Sequence, residues 1–166
     1  MAFTVRDLDQ GDIPRVLEIQ AAAYGPHLLE DGDVFAAKIR DHAGWCLGAQ
    51  DTTGLLGAYV ISFPMVTTAS VGLHETGGRG LAHGEHAPIL YIHDLAVDPA
   101  VHGTGAGTLL LGTLESLGRA YGQSVIELVA IESAVRFWLG RGFQTTDDEV
   151  YAGYGEGARK MRRPIE

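Results

Sequence analysis

The run from Ile89 to Tyr121 constrains this chain more than any other. Ile89, Leu90, Tyr91, Ile92, His93, Asp94, Leu95, Ala96 and Val97 form a β-prone, largely apolar stretch. That is the pattern of a strand covered on both faces. Asp98-Pro99 ends it, because proline has no N–H to give to a ladder. His102-Gly103-Thr104-Gly105-Ala106-Gly107 follow, and then Leu110, Leu114, Leu117 and Tyr121 recur at four, three and four residues. This spacing places them on one helix face. A glycine turn that opens a helix lets bare backbone N–H groups approach an anion, and the helix dipole adds to the attraction.

Two phosphate loops do not fit. A P-loop requires Gly-Lys-Ser/Thr, and here Gly107 is followed by Thr108 and Leu109. A dinucleotide fingerprint requires Gly-x-Gly-x-x-Gly directly after the strand, with an acid about 20 residues on. Glu127 satisfies the second condition, but Gly103-x-Gly105-x-Gly107 has the wrong spacing and begins several residues after Val97. A nucleotide-dependent oxidoreductase is therefore a distant reading.

Leu95-Ala96-Val97-Asp98-Pro99, then His102-x-x-Gly105-x-Gly107 and Leu109-Leu110, resemble the acyl-CoA loop of the GNAT acetyltransferases. Their loop reads Gln/Arg-x-x-Gly-x-Gly/Ala after a strand ending Leu-x-Val-x-Pro. His102 stands where that family has Gln or Arg. Ala134-Val135-Arg136-Phe137-Trp138-Leu139-Gly140-Arg141-Gly142-Phe143 is similar to the family's Ala-x-x-Phe-Tyr-x-x-x-Gly-Phe segment, with Trp138 in place of the tyrosine. The resemblance runs from Phe3 to about Pro164. It implies an α/β (α+β) fold, a mixed, twisted sheet of about seven strands flanked by helices and splayed at the central strand.

At 166 residues the chain is expected to form a single domain over 1–166, burying about 70% of its unfolded surface. No apolar run reaches the ~18 residues needed to span a membrane. Met1-Ala2-Phe3-Thr4-Val5-Arg6-Asp7 does not read as a signal peptide. Cys46 is the sole cysteine, so no internal disulfide can form. A cytoplasmic location is the simplest expectation. Acidic residues outnumber basic ones 21 to 12, which argues against a nucleic-acid backbone as partner. The excess is compatible with a cationic acceptor, although solubility accounts for it better.

Along the chain, Phe3, Val5 and Leu8 suggest a first strand. Gly11-Asp12-Ile13-Pro14 opens a helix with Asp12 as the expected N-cap, and Tyr24-Gly25-Pro26 stops it. A second helix is expected over 33–42. Residues 45–50 and 55–66 read as a hairpin closed by Phe63-Pro64. Thr67 to Pro88 lacks periodicity and could fold over the acceptor site. Its His74-Glu75 and His83-Gly84-Glu85-His86 lack the spacing of a metal site, and no metal is expected. A strand over 124–131, a helix from Ala134 to Gly140 capped by Ser133, and strands over 143–151 and 158–164 complete the reading.

The resemblance implies acetyl-CoA as co-substrate and transfer of its acetyl group to a primary amine, on a small molecule or a peptide, by direct attack. It places the cofactor on Leu95, Ala96, Val97, His102, Gly103, Thr104, Gly105, Ala106, Gly107, Thr108 and Trp138. Backbone groups of Leu95 and Val97 would pair with the pantetheine arm, and the loop would cradle the pyrophosphate. Tyr24, His27 and Glu30 are acceptor-contact candidates. His93 is the leading candidate base, since its ordinary pKa suits an ammonium. Asp94 competes as base or cation anchor, and Tyr91 could relay protons. Strict alternation puts Tyr91, His93 and Leu95 on one face and Ile92 and Asp94 on the other. An indole is no proton source, so thiolate protonation falls to water or to Tyr151 or Tyr154. Trp138 also keeps alive a non-catalytic acyl-CoA-binding protein. Many relatives in the family are dimers, which leaves a homodimer open.

Overall fold

The computed structural model describes residues 1–66, 72–74 and 87–166. Most of the expected 67–88 connection, including His83 to His86, lies outside the described residues. One seven-stranded sheet runs in the order β1-β2-β3-β4-β5-β7-β6. Its strands are β1 (Thr4–Asp7), β2 (Leu47–Gln50), β3 (Leu56–Met65), β4 (Ile89–Val97), β5 (Val125–Ala130), β6 (Gln144–Thr145) and β7 (Arg159–Pro164). The β4–β5 pair is parallel and the other pairs are antiparallel.

Helices α1 (Ile13–Ala23) and α2 (Gly32–Asp41) cover one face of the sheet, and α3 (Ala106–Ala120) and α4 (Val135–Leu139) the other. On the α3 side, Leu110 and Leu114 are wholly buried against Leu90, Ile92, Val60 and Ile126. Truncating either leucine to alanine would cost about 2–5 kcal/mol. On the α1/α2 side, Val16, Ile19, Phe35 and Ile39 pack on Tyr59, Ile61 and Ala96. Among the described residues no helix is long and apolar enough to cross a membrane.

Several boundaries differ from the sequence expectation. Asp12 does not cap α1. Asp9 caps a short 3-10 turn before it, and the Asp12 carboxylate returns to the Asp9 N–H while pairing with Arg6. Ser133 caps nothing either, since residues 132–134 form a 3-10 turn leading into α4. Pro64 stays within β3 opposite Leu90 instead of ending the strand. The strand expected over 143–151 shrinks to Gln144–Thr145.

The largest correction concerns β4. Ile61 pairs with Asp94 and Ser62 with Ile92, so His93 is an extra, bulged residue. A bulge shifts the side-chain alternation by one position. Leu90 and Ile92 face α3, and so do Leu95 and Val97. Tyr91, His93, Asp94 and Ala96 all project toward the α1/α2 side. His93 and Asp94 therefore share a face, contrary to strict alternation.

Candidate active site

Strands β4 and β5 pair only from Ile89–Val125 to Ile92–Leu128. Beyond that point β4 stays with β3 and β5 with β7, and the sheet opens. The opening is a cleft of about 610 Å³, walled by Ile92 to Leu95, by Leu128 to Ile131, and by Tyr24, Glu30, Leu73, Trp138 and Tyr154. The Asp98 N–H donates to Gly57 of β3. By alternation the Ala96 groups also face β3, so those of Leu95 and Val97 face the opening. An extended ligand could pair there as an added strand.

At the far end of this edge the glycine loop meets α3. Gly103 and Gly105 have φ of 75° and 89°, in the left-handed region, and Gly105 is the residue before the helix. No side chain caps α3, so the N–H groups of Ala106, Gly107 and Thr108 have no intrahelical acceptor. A Cβ on Gly107 would lie 3.1 Å from Val97 Cγ2, so this glycine lets the helix start tightly against β4. The His102 ring turns back, with Nε2 3.2 Å from the Val97 carbonyl oxygen. Thr104 is also tied into the turn, donating to Val101 O at 2.6 Å. The Arg141 guanidinium lies 3.4 Å from Thr108 Oγ1 in the first turn of α3 and 3.4 Å over the Phe137 ring. The four residue steps from His93 to Val97 span about 13 Å of strand, which separates this cradle from the buried groups.

Those groups are assembled by the α1–α2 segment. Gln20 exchanges two hydrogen bonds with the Glu30 backbone, at 2.6 and 3.1 Å, which fixes the turn. Glu30 Oε1 lies 2.7 Å from His93 Nε2. Glu30 Oε2 accepts from Lys38 Nζ at 3.2 Å and from the His74 N–H at 2.8 Å. Burial by itself would raise the Glu30 pKa. The His93 hydrogen bond, the nearby cations and the His74 amide outweigh it and hold the value at about 2. Lys38 Nζ also lies 3.1 Å from His93 Nε2, but the ionised Glu30 oxygen is closer, at 2.7 Å, and favours the tautomer that carries its proton on Nε2. The other ring nitrogen, Nδ1, is buried and has no hydrogen-bond partner among the described residues. In a neutral imidazole that nitrogen holds the lone pair.

Asp94 is held differently. The Tyr59 hydroxyl lies 2.6 Å from its Oδ2 and the Tyr24 hydroxyl 2.7 Å from its Oδ1. Burial raises the Asp94 pKa, and the two phenols offset that only in part. Tyr91 is buried and hydrogen-bonded with Tyr154. Burial also raises the pKa of Tyr154, so it remains a donor at neutral pH. Tyr151, by contrast, is 53% exposed. Trp138 packs edge-on against Phe143 at 5.0 Å and presents its surface to the cleft.

Of the residues expected from the sequence, Tyr24, Glu30, His93, Asp94, Leu95 and Trp138 converge on one cleft. His27 is exposed and is not among the cleft-lining residues. Glu30 is 4% exposed and serves as the partner of His93 and Lys38 instead of presenting a free carboxylate. Lys38 and Tyr59 were not expected. Lys38 follows Val34 by four residues on the apolar stripe of α2, and that is the signal that marks it. Tyr59 lies in a largely apolar strand, and nothing local sets its hydroxyl apart.

The acetyltransferase (GNAT) family model matches residues 13–143. A mycothiol acetyltransferase of Nocardioides sp. is 29% identical over 164 residues, covering 88% of this chain and 50% of that protein. An uncharacterized N-acetyltransferase of Methanocaldococcus jannaschii is 26% identical over 158 residues, covering 92% and 64%. The chain thus spans between half and two thirds of the length of these curated relatives. Among solved structures, Ard1 from Thermoplasma volcanium superposes with a TM-score of 0.75 at 17% identity, covering 100% of this chain and 99% of that one. The GphF GNAT-like decarboxylase in complex with isobutyryl-CoA gives 0.76 at 16%, covering 98% and 100%. PaiA N-acetyltransferase from Thermoplasma acidophilum in complex with coenzyme A gives 0.70 at 14%, covering 99% of each. These structural likenesses establish the fold, and the family match over most of the chain establishes that it belongs to the GNAT acetyltransferase family.

Proposed function

We propose that this chain transfers an acetyl group from acetyl-CoA to a primary amine by direct attack within a ternary complex. The glycine loop and the start of α3 would hold the pyrophosphate, and the edge of Leu95 and Val97 that faces the opening would hold the pantetheine arm. The coenzyme A and isobutyryl-CoA bound by neighbours of the same fold support an acyl-CoA here. The acceptor enters from the α1/α2 side, where Tyr24, Leu28, Leu73 and Tyr154 wall the cleft.

The observation that carries the reading is His93. Glu30 favours a proton on its Nε2, and its buried Nδ1 has no partner among the described residues. A carboxylate that orients an imidazole and leaves the opposite nitrogen as base is the logic of a catalytic dyad. Nδ1 takes the ammonium proton, directly or through one water. The neutral amine attacks the thioester carbon, the N–C bond forms, and the C–S bond breaks. Backbone N–H groups of the splayed edge face the developing oxyanion. As the C–S bond breaks, the nitrogen gives up its second proton, which is relayed through water or a bound hydroxyl to the departing thiolate, since Trp138 supplies a hydrogen bond but no proton.

Trp138 also supports a second reading, an acyl-CoA-binding protein without turnover. Calorimetric titration with acetyl-CoA, with NADH and ATP as controls, followed by acetylation assays on an amine panel, separates the two. Selective acetyl-CoA binding with turnover supports the enzyme. Binding without acetylation of any amine supports the second reading, and absence of binding defeats both.

A further inference from the structure

Asp94 sits one residue past the bulge, and its surroundings raise a question of proton count. Tyr59 lies 2.6 Å from Oδ2. The Tyr24 hydroxyl lies 2.7 Å from Oδ1 and, at the same time, 2.9 Å from the Leu95 carbonyl oxygen. A phenol has one proton to give. If Asp94 were ionised, Tyr24 would face two acceptors with a single hydrogen, and one contact would be oxygen against oxygen without a proton. If Oδ1 is protonated, every contact is filled. Asp94 then donates to the Tyr24 oxygen, Tyr24 to the Leu95 carbonyl, and Tyr59 to Oδ2.

The surrounding charges favour the same state. Among the described residues no lysine, arginine or histidine forms an ion pair with Asp94, and the nearby Lys38 pairs with Glu30 instead. The groups facing Asp94 are Tyr24 at the end of α1, Tyr59 from β3, its neighbour His93 on β4, and Glu30 from the α1–α2 turn. Glu30 is an anion and opposes a second negative charge beside it. An unpaired buried carboxylate is costly, and a neutral carboxyl with every hydrogen bond made is not.

We infer that Asp94 is held as a neutral carboxylic acid that donates to Tyr24, and that Tyr24 in turn pins the Leu95 carbonyl, so the pair positions the splayed edge of β4. Asp94 is then a positioning residue and not the base, which leaves proton abstraction to His93. The kinetic consequence rests on the acetyl-transfer reading; the protonation state does not.

The test turns on an isosteric neutral replacement. Asparagine can donate from Nδ2 to Tyr24 and accept from Tyr59 at Oδ1. Asp94→Asn should keep kcat/KM within about threefold of wild type, while Asp94→Ala and Tyr24→Phe, which break the chain, should lose more than about tenfold. Independently of activity, infrared difference spectra of wild type minus Asp94→Asn at pH 7 should show the carbonyl band of a protonated carboxyl group. In wild type alone that band should disappear as the pH is raised. Loss of about a hundredfold or more in folded Asp94→Asn would overturn the inference by showing that a carboxylate is needed. Absence of the band would overturn it too. The band present with no acetylation by wild type would support the protonation state and refute the transferase reading.

Discussion

The two ends of the opened strand differ in how they are built. The α3 end of the candidate site is built of backbone groups released by local conformation, with two left-handed glycines, an uncapped helix and a strand edge whose neighbour has departed. The α1/α2 end is built of side chains drawn from four separate stretches, namely Tyr24, Glu30 with Lys38, Tyr59, and His93 with Asp94. A cradle of backbone donors tolerates variation in its side chains, and here His102 is folded back on Val97 without emptying it. A cluster of buried polar side chains is coupled, and removing one member strands the others.

Substitutions can probe that contrast. The largest effect is expected from Gly105→Glu, which forces a side chain into a left-handed backbone and an anion into the cradle. Acetyl-CoA binding measured by calorimetry should fall below detection in a folded variant. Undiminished affinity would show that the cradle lies elsewhere. His93→Ala should leave that affinity nearly intact and lower kcat by about 10²–10⁴-fold, flattening the acid limb of the pH–rate profile. An unchanged profile would remove His93 from the proton path.

Glu30→Gln probes coupling through stability. The folded carboxyl is held at a pKa of about 2, below the ordinary glutamate value of 4.5, by His93, Lys38 and the His74 amide. Because the folded value is the lower one, its contribution is fully present above the unfolded pKa and is lost as pH falls through the folded value. The shift corresponds to roughly 3 kcal/mol, or about 10 °C in melting temperature for a chain of this size. The variant should melt lower than wild type at pH 7, and the gap should close between pH 4.5 and 2 in a thermal scan. A gap independent of pH would mean that charge at Glu30 is not what stabilises the cluster. The smallest effect is expected from Arg141→Ala. This side chain has no acidic partner among the described residues and reaches only Thr108 in the cradle. Its loss should weaken acetyl-CoA binding a few-fold, less at high salt. A salt-independent change would point to lost packing on Phe137 instead.

The contrast also explains what could be read early. The loop, the helix behind it and the Ala134–Phe143 segment are local patterns, in which each residue's role follows from neighbours within a turn or two. The polar cluster is not local. His93 and Glu30 are 63 residues apart, and Tyr24 and Asp94 are 70 apart. The resemblance makes Glu30 an acceptor-contact candidate, and the structure places it in the cleft wall with its carboxylate bonded to His93 and Lys38, partners that no local pattern indicates. Caps misled for a related reason. Asp12 has the right residue type in the right place, but Arg6 on β1 draws its carboxylate away.

From its sequence alone, the chain determines a buried central strand, a glycine-opened helix that exposes backbone donors, and membership in a family of acyl-CoA users. Those features depend on period, residue type and turn chemistry, which are written in consecutive residues. The tertiary structure decided which side chains meet. One bulged residue at His93 moved Asp94 onto the same face as His93 and sent Leu95 to the other. A one-residue shift reverses every later side chain along a strand, and pairing with a distant neighbour sets where that shift falls.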